Sequence, residues 1–410
     1  MPPSDAAPPF PVAQMRRQFP ALEEAGDFIF FDNAAGAQIP STVLAAVTDH
    51  LRRRNVQRGG PYRHSREVDA MIARARQRVA AFVNARGADE IAFGLNATSF
   101  IRAISLAIGQ TLASRPEIVV SELDHEANVA TWLALERAGA RIVWWRVRTG
   151  ADGARLHVED LAPLVTDRTR LVACTVASNA TGTIVDVAAA ARIAHAAGAE
   201  LFLDAVHFAP HAPLDVQAID ADYVVCSGYK VFAPHMGFAW CRREAINRLP
   251  TFREDFIPDV TPDKLEAGTY VYENVAGMEA AIGYLEQLGP IPAAMAAIAA
   301  YERSLSHALL DAVEAIPGVT VHGVTDRARL HERVPTLCFT ADGVDASVIA
   351  DALAARDIGV RSGHMYSPRL MKRLGLLPAG VVRASLVHYN TVEEIGRFAE
   401  ALGAVLAAGR

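Results

Sequence analysis

The feature that most restricts the fold of this chain is the repeated alternation of short apolar runs with stretches of helical period. The runs are rich in β-branched residues and bounded by turn residues, as is typical of strands. They occupy residues 91–93, 117–121, 140–147, 170–176, 200–204, 222–226 and 237–241. Between several of them lie helical stretches, such as 126–138 and 186–198. This pattern predicts an α/β fold with a mostly parallel, doubly wound sheet, which binds ligands beyond the carboxyl ends of its strands.

After residue 289 the pattern changes to that of a smaller α+β domain. A long Ala-rich helix is predicted at 292–315, then strands near 319–322, 335–340 and 381–387 and helices near 345–356 and 391–407. Since single cores stop growing beyond roughly 250–300 residues, a chain of 410 residues is expected to contain more than one unit. Gly289 and Pro290 mark the join. We therefore predict an N-terminal arm at 1–25, a large domain at 26–289 and a small C-terminal domain at 290–410.

Charge and cysteine content disfavour several classes of protein. Forty Lys and Arg residues stand against 46 Asp and Glu residues without a basic block, which argues against nucleic acid as a partner. No apolar run is long enough to span a membrane, and the first residues lack the order of a signal peptide, so a cytoplasmic location is expected. The four cysteines lack metal-ligand spacing, and neither a metal site nor a disulfide framework is predicted.

Lysine is scarce in this chain. The 40 basic residues include only Lys230, Lys264 and Lys372. The polar surroundings of Lys264 and Lys372 predict that both lie at the surface. Lys230 closes the apolar stretch ADYVVCSGYK and is expected to be buried or to lie in a cleft.

Four features lie at the ends of predicted strands or at the start of a helix. The loop at 94–99, GLNATS, opens a helix and can seat a phosphate, although a simple N-cap would look the same. Asp204 could coordinate a metal, bind a ribose, pair with a protonated ring nitrogen or simply lie in a turn. Lys230 could form a Schiff base or be structural, and Asn179 could bind a phenolic oxygen or be a turn residue. Together they match the needs of pyridoxal 5'-phosphate (PLP), and no nicotinamide or P-loop signature occurs.

Several longer segments extend this interpretation. They are FFDNAAGAQIP (30–40), FGLNATSF (93–100), SELDHEANVATW (121–132), VASNATGTIVDV (176–187), the stretch from LFLDAVHF to SGYKVFAP (201–234), EAGTYVYENVAGMEAAIGYLEQLG (266–289), VRSGH (360–364) and VRASLVHYNT (382–391). In these segments the chain resembles the class V aminotransferase family of fold-type-I PLP enzymes, near the cysteine desulfurase and selenocysteine lyase branch. The resemblance covers nearly the whole chain and implies a large PLP-binding domain.

The resemblance implies a role for individual residues. Lys230 would hold the cofactor and then carry protons, His125 would stack on the cofactor ring, and Asp204 would pair with the ring nitrogen. The cofactor-binding set implied in this way is Ala97, Thr98, His125, Asn179, Asp204, His207, Ser227, Tyr229, Lys230 and Thr269. Thr269 is expected to reach the phosphate of the neighbouring subunit, which implies a homodimer with active sites at the subunit interface. The substrate-binding set is Arg383, which would clamp the carboxylate, with Arg361, Tyr366 and Arg58.

One departure from the family pattern bears on the reaction. Cysteine desulfurases carry a nucleophilic cysteine after the R-[ST]-G-H motif, whereas the loop 361–368 reads RSGHMYSP. Persulfide-forming desulfurase activity is therefore disfavoured, and Tyr366 would either donate a proton to a leaving group or fill space. The leading hypothesis is C–S bond cleavage in cysteine or a cysteine S-conjugate. The alternatives are β-decarboxylation or aldol chemistry, epimerisation or transamination of an amino acid, and a non-catalytic binding protein, which Lys230 disfavours.

Overall fold

The computed structural model describes residues 10–150 and 153–408. Its strands are β1 (Ile29–Phe30), β2 (Ile91–Gly94), β3 (Glu117–Ser121), β4 (Arg141–Trp145), β5 (Thr169–Thr175), β6 (Glu200–Asp204), β7 (Tyr223–Ser227), β8 (Gly237–Cys241), β9 (Val319–His322), β10 (Thr336–Ala341), β11 (Ile358–Gly359), β12 (Arg361–Gly363) and β13 (Val381–Ser385). Its α-helices are α1 (Val12–Arg16), α2 (Pro20–Glu24), α3 (Ser41–Arg53), α4 (Arg63–Phe82), α5 (Ala97–Gly109), α6 (Ala127–Leu133), α7 (Val158–Leu161), α8 (Val187–Ala196), α9 (Val216–Ile219), α10 (Arg243–Asn247), α11 (Tyr272–Leu285), α12 (Ile291–Glu314), α13 (Ala346–Ala354), α14 (Pro368–Arg373) and α15 (Val392–Ala408).

A seven-stranded sheet in the order β2-β8-β7-β6-β5-β3-β4 forms the centre of the protein. The strands from β4 to β7 pair in parallel, whereas β8 runs antiparallel to both of its neighbours. Successive residues of β3 enter different buried clusters: Val119 packs on one face of the sheet, and Ile118 and Val120 pack on the other. Both faces are therefore covered, and the predicted fold-type-I architecture is confirmed.

The C-terminal part has its own sheet and core. Strands β9, β10, β12 and β13 form an antiparallel sheet in the order β12-β13-β10-β9, and α12, α13 and α15 contribute to the buried cluster beside it. The register of β12 and β13 pairs Arg361 with Arg383. Two guanidinium groups are thereby brought to neighbouring positions of one sheet.

The N-terminal residues are more closely integrated than the sequence indicated. Residues 1–9 of the predicted arm lie outside the described residues, whereas Met15 and Phe19 of the remainder are buried in the main core. Strand β1 pairs in parallel with β11, and Ile29 and Phe31 belong to the core of the C-terminal part. Residues 29–31 thus contact the small unit although the sequence assigned them to the large one, and the three boundaries stay a prediction.

The prediction that Lys264 lies at the surface is wrong. Its side chain is buried, and Nζ donates to the carbonyl oxygens of Leu249 (2.9 Å) and Asn247 (3.4 Å) and pairs with Asp259 (2.9 Å). A buried ammonium group is tolerated when acceptors surround it in this way. Lys372 is exposed, as predicted. Within residues 10–150 and 153–408, no helix is both long and apolar enough to cross a membrane.

Candidate active site

A cavity lies beyond the carboxyl ends of β5, β6 and β7, next to the start of α5. The residues that line it are Ala97, Thr98, Ile101, His125, Ala127, Thr175, Ala177, Asn179, Asp204, Val206, His207, Ser227, Tyr229 and Lys230. These include every predicted cofactor-binding residue except Thr269. Parallel strands of a doubly wound sheet end at one edge, which explains how residues distant in sequence meet there.

The first turn of α5 borders the cavity, and its Thr98 N–H has no partner among residues 10–150 and 153–408. Asn96 is the N-cap, and Ser99 completes a reciprocal capping box with it. The Ala97 N–H donates to the Ser227 hydroxyl over 3.2 Å. A Cβ added at Gly237 would lie 2.5 Å from the Asn96 backbone, so only glycine allows β8 to approach this loop. The positive end of the helix dipole then faces the cavity, as an anion requires.

Asp204 ends β6 with its carboxyl group buried. One oxygen accepts from the Val206 N–H over 2.9 Å, and the other has no donor within the described part of the chain. Burial raises the pKa of Asp204, while Lys230 opposes this shift. A buried carboxyl group with a free oxygen facing a cavity can pair with a protonated ring nitrogen.

Lys230 ends a short 3-10 turn that follows β7. Its side chain is buried, and its amine has no hydrogen-bond or ion-pair partner among residues 10–150 and 153–408. Burial, together with the positive charge of Arg383, lowers its pKa to about 8, although Asp204 and Asp32 act in the opposite direction. The amine is therefore partly neutral near physiological pH and can act as a nucleophile.

His125 is a neutral imidazole at the wall of the cavity. Burial lowers its pKa to about 4, and the charges of Lys230 and Arg383 add to that effect. Its Nδ1 accepts the Ala127 N–H over 3.1 Å, which assigns the ring proton to Nε2. The ring of Tyr366 lies 5.6 Å away, centroid to centroid, and 56% of the Tyr366 side chain is exposed.

His207 and Asn179 connect the cavity with the C-terminal part. His207 Nε2 lies 3.0 Å from the Thr336 hydroxyl, and burial holds the pKa of His207 well below its usual range. The Asn179 amide donates to the Met365 carbonyl oxygen over 2.6 Å and accepts from the Ser367 hydroxyl over 2.9 Å. Because an amide NH₂ has two donors, one N–H of Asn179 is left for a ligand in the cavity.

Asp32 is a site residue to which the sequence assigned no role. Its carboxylate accepts from the buried Arg383 (2.8 Å to Nη2) and from Arg361 (2.7 Å to Nη2), so one anion serves both predicted substrate-binding arginines. Arg383 also donates from Nη1 to the Asn179 carbonyl oxygen over 2.9 Å. Its Nε is buried without a partner in the described part of the chain. That N–H is a donor available to a carboxylate ligand.

Five predicted residues are absent from the lining of this cavity: Arg383, Arg361, Tyr366, Thr269 and Arg58. Arg383 adjoins it through the Asn179 carbonyl oxygen and Tyr366 through the ring of His125, whereas Thr269 and Arg58 lie apart from it. The Thr269 hydroxyl accepts from the Gln57 amide over 2.6 Å, and Arg58 lies near Tyr270 (3.4 Å) and Glu266 (3.8 Å). They form a separate cluster in which Thr269 is exposed. Within one chain the structure therefore brings Thr269 and Arg58 together but not into the cavity.

None of the four cysteines approaches the cavity. Cys174, Cys226, Cys241 and Cys338 lie within strands, and each is buried. Burial raises the pKa of every one of these thiols. They are packing residues, as predicted, because a buried neutral thiol is a poor nucleophile.

The family model described as aminotransferase class-V matches residues 29–398. The chain belongs to the class V aminotransferase family. Members of this family and the cysteine desulfurases depend on PLP, and this class V protein is a PLP-dependent enzyme. The helix N-terminus, the free carboxylate oxygen of Asp204 and the unpaired amine of Lys230 fit the phosphate, the ring nitrogen and the aldehyde of that cofactor.

Individual relatives support the same assignment. The class V enzyme is 37% identical over 406 residues to the aminotransferase-like protein FGM3 of Gibberella zeae, covering 97% of this chain and 99% of the relative. It is 32% identical to a cysteine desulfurase of Synechococcus elongatus, covering 96% of this chain but only 63% of that protein. The crystal structure of the cysteine desulfurase CsdA from Escherichia coli superposes with a TM-score of 0.86 at 29% identity, covering 97% of this chain and 99% of that one.

Proposed function

We propose that this enzyme is a lyase that cleaves the Cβ–S bond of cysteine or of a cysteine S-conjugate without forming a protein persulfide. One observation carries the proposal. Lys230 and Asp204 line one cavity and Arg383 donates to the carbonyl oxygen of Asn179 at its wall, whereas all four thiols are buried inside strands. Tyr366 occupies the loop position beside His125 at which a desulfurase would present its cysteine. The site thus has groups for amino-acid chemistry and no thiol to accept sulfur.

The proposed steps assign the chain's own residues as follows. Arg383 binds the substrate carboxylate through its free Nε–H, and the Lys230 amine removes the proton from Cα. When bound, PLP supplies an electron sink for the pair left at Cα. The Cβ–S bond then breaks, and the sulfur leaves with its bonding electrons. Water completes the balance, so one S-conjugate yields one thiol, one pyruvate and one ammonium ion.

We also propose that the enzyme acts as a homodimer. Thr269 and Arg58 lie together outside the chain's own cavity, which is where residues that complete a neighbour's site would lie. The side chains of Phe252 and Phe256, from the loop that leads to Thr269, are 91% and 82% exposed. Large apolar side chains in one loop favour a protein contact.

Product analysis tests the proposed reaction. We expect pyruvate, ammonia and a free thiol in equal amounts from L-cysteine or from S-alkyl and S-aryl cysteines, measured with purified enzyme and added PLP. The Lys230→Ala variant serves as the control for non-enzymatic thiol release. Carbon dioxide from L-aspartate, or a 2-oxo acid formed from L-alanine without thiol release, would instead indicate decarboxylation or transamination.

Replacing Asp32 by asparagine is expected to weaken substrate binding. The KM should rise about tenfold with a smaller change in kcat, because a hydrogen bond between charged groups contributes roughly 1.5–3 kcal/mol and Arg383 loses one of its two anchors. Steady-state kinetics with the best substrate measures this effect. The matched control is Asp27→Asn, whose carboxylate is 96% exposed. A lower KM would show that Asp32 competes with the substrate for Arg383 rather than positioning it.

A further inference from the structure

A second cavity of about 330 Å³ lies beside the candidate active site, at the carboxyl end of the edge strand β4. It is lined by Glu122, Trp144, Arg146, Arg369, Lys372 and Arg373. Glu122 directly follows β3 and Arg146 directly follows β4, so this cavity opens on the same edge of the sheet as the candidate active site. None of its residues belongs to the predicted cofactor- or substrate-binding sets.

The cavity carries an excess of positive charge. Four cationic side chains line it, and Glu122 is the one acidic residue of the lining. That carboxylate is already bound by Arg373 through two hydrogen bonds of 2.7 and 2.8 Å, and Arg146 approaches it no closer than 3.4 Å. The Lys372 ammonium is exposed and has no ion-pair partner within residues 10–150 and 153–408. Lys372, and Arg146 with its one long contact to Glu122, are therefore available to an anion.

Arg369 is held in a fixed orientation at the edge of this cavity. Its guanidinium lies 4.9 Å above the ring of Trp144 and donates to Glu126 over 3.2 Å. Its Nε is buried and has no partner in the described part of the chain. An orphaned donor beside a basic cavity is a position at which a ligand oxygen would be stabilised.

Two consecutive residues, His125 and Glu126, connect the two cavities. His125 lines the active-site cavity, and the next residue, Glu126, pairs with Arg369 of the basic cavity. The Glu126 N–H also donates to the Tyr366 carbonyl oxygen over 2.7 Å. Tyr366 stands two residues before α14, the helix that carries Arg369, Lys372 and Arg373. The segment 125–126 and the loop before α14 therefore join the active-site cavity to these cations.

We propose that the basic cavity binds a carboxylate or phosphate group at the far end of the substrate's Cβ substituent. This rests on the proposed function, because only an S-conjugate carries a substituent beyond the sulfur. The excess charge selects an anionic end group, and the Glu126–Arg369 pair links this cavity to the active-site wall at His125. A separate small anion would satisfy the same side chains and is distinguished by experiment.

Matched substrates test the proposal. We expect S-(ω-carboxyalkyl)cysteines to be cleaved with a kcat/KM about five- to tenfold above that of S-alkyl cysteines of equal length, as a few charge-assisted hydrogen bonds would produce. The double variant Arg146→Gln, Lys372→Gln should remove this preference and leave the S-alkyl substrates unchanged. Arg192→Gln, an exposed residue of α8, should preserve the preference. Equal preference in the wild type and the double variant would overturn the proposal.

A binding measurement separates this inference from the proposed reaction. Calorimetric titration with glutarate and with inorganic phosphate needs no turnover, and we expect glutarate binding that the double variant loses. If no S-conjugate is cleaved but this binding is observed, the proposed reaction fails and the anion site stands. If phosphate binds there and the substrates show no end-group preference, the cavity serves a separate anion, and the assignment to the substrate is overturned.

Discussion

Replacing Lys230 by alanine is expected to abolish covalent incorporation of PLP and to lower turnover by about 10³-fold or more. The amine of Lys230 is buried at the cavity and has no hydrogen-bond or ion-pair partner among residues 10–150 and 153–408, although it lies 5.9 Å from the centre of the Tyr229 ring. An unpaired buried ammonium costs folding free energy, so the alanine variant should fold and should not lose stability. Loss of function without loss of stability separates a chemical role for Lys230 from a structural one.

Reductive trapping measures this expectation directly. Borohydride reduction followed by peptide mapping should place the cofactor on the peptide that contains Lys230. The chain offers only two other lysines, and Lys264 Nζ is bonded to carbonyl oxygens. Lys230→Arg is the matched control, since it keeps a positive charge but cannot condense with an aldehyde. Label on Lys264 or Lys372, or full turnover of the alanine variant, would contradict the assignment.

The pH dependence of incorporation follows from the same amine. Only the neutral amine attacks an aldehyde, and burial lowers the pKa of Lys230 to about 8. The rate should therefore rise with pH in proportion to the neutral fraction, reach half of its maximum near pH 8 and level off above that pH. A rate that still rises near the usual lysine pKa of roughly 10.4 would show that the amine is not desolvated.

The central sheet could be predicted from the sequence because each strand is a short apolar run with its own boundaries. The runs at 117–121, 200–204 and 237–241 match β3, β6 and β8 residue for residue. The pairing of β1 with β11 could not be predicted in this way. A strand of two residues has no period to recognise, and its partner lies in the other half of the chain.

The position of a residue relative to an apolar run also explains which site residues could be predicted from the sequence. Asp204 ends one apolar strand and Lys230 follows another, and these positions place them at the ligand-binding edge of the sheet. The role of Asp32 depends on Arg361 and Arg383, which reach it only after β12 and β13 pair. Nothing near Asp32 in the sequence distinguishes it from a turn aspartate.

The burial of Lys264 could not be predicted because it, too, depends on contacts that form only in the folded chain. Its sequence neighbours are polar, and this pattern indicates a surface position. Its burial depends on carbonyl oxygens that the last residue of α10 and the loop after it direct toward Nζ. The backbone conformation of a loop is not encoded in local hydrophobicity, so the acceptors could not be anticipated.

Replacing Asp204 by asparagine is expected to leave PLP bound but to lower turnover by about 10²–10³-fold, the usual cost of losing one aligned electrostatic group. The free carboxylate oxygen of Asp204 faces the cavity from a buried position, where a charge–charge contact is screened far less than in water. A neutral amide does not keep a ring nitrogen protonated, so the electron sink is weakened although the shape of the site is preserved.

A cofactor analogue gives this prediction its sharpest test. PLP methylated at the ring nitrogen carries a permanent positive charge, and it should restore much of the turnover of Asp204→Asn while giving the wild type no advantage. Asp342→Asn is the matched control because Asp342 is exposed and remote from the cavity. If the analogue fails to rescue the variant although it binds, Asp204 acts by organising the residues around β6 rather than by holding the proton. The rescue therefore distinguishes the charge of Asp204 from its packing, which a loss of activity alone would not do.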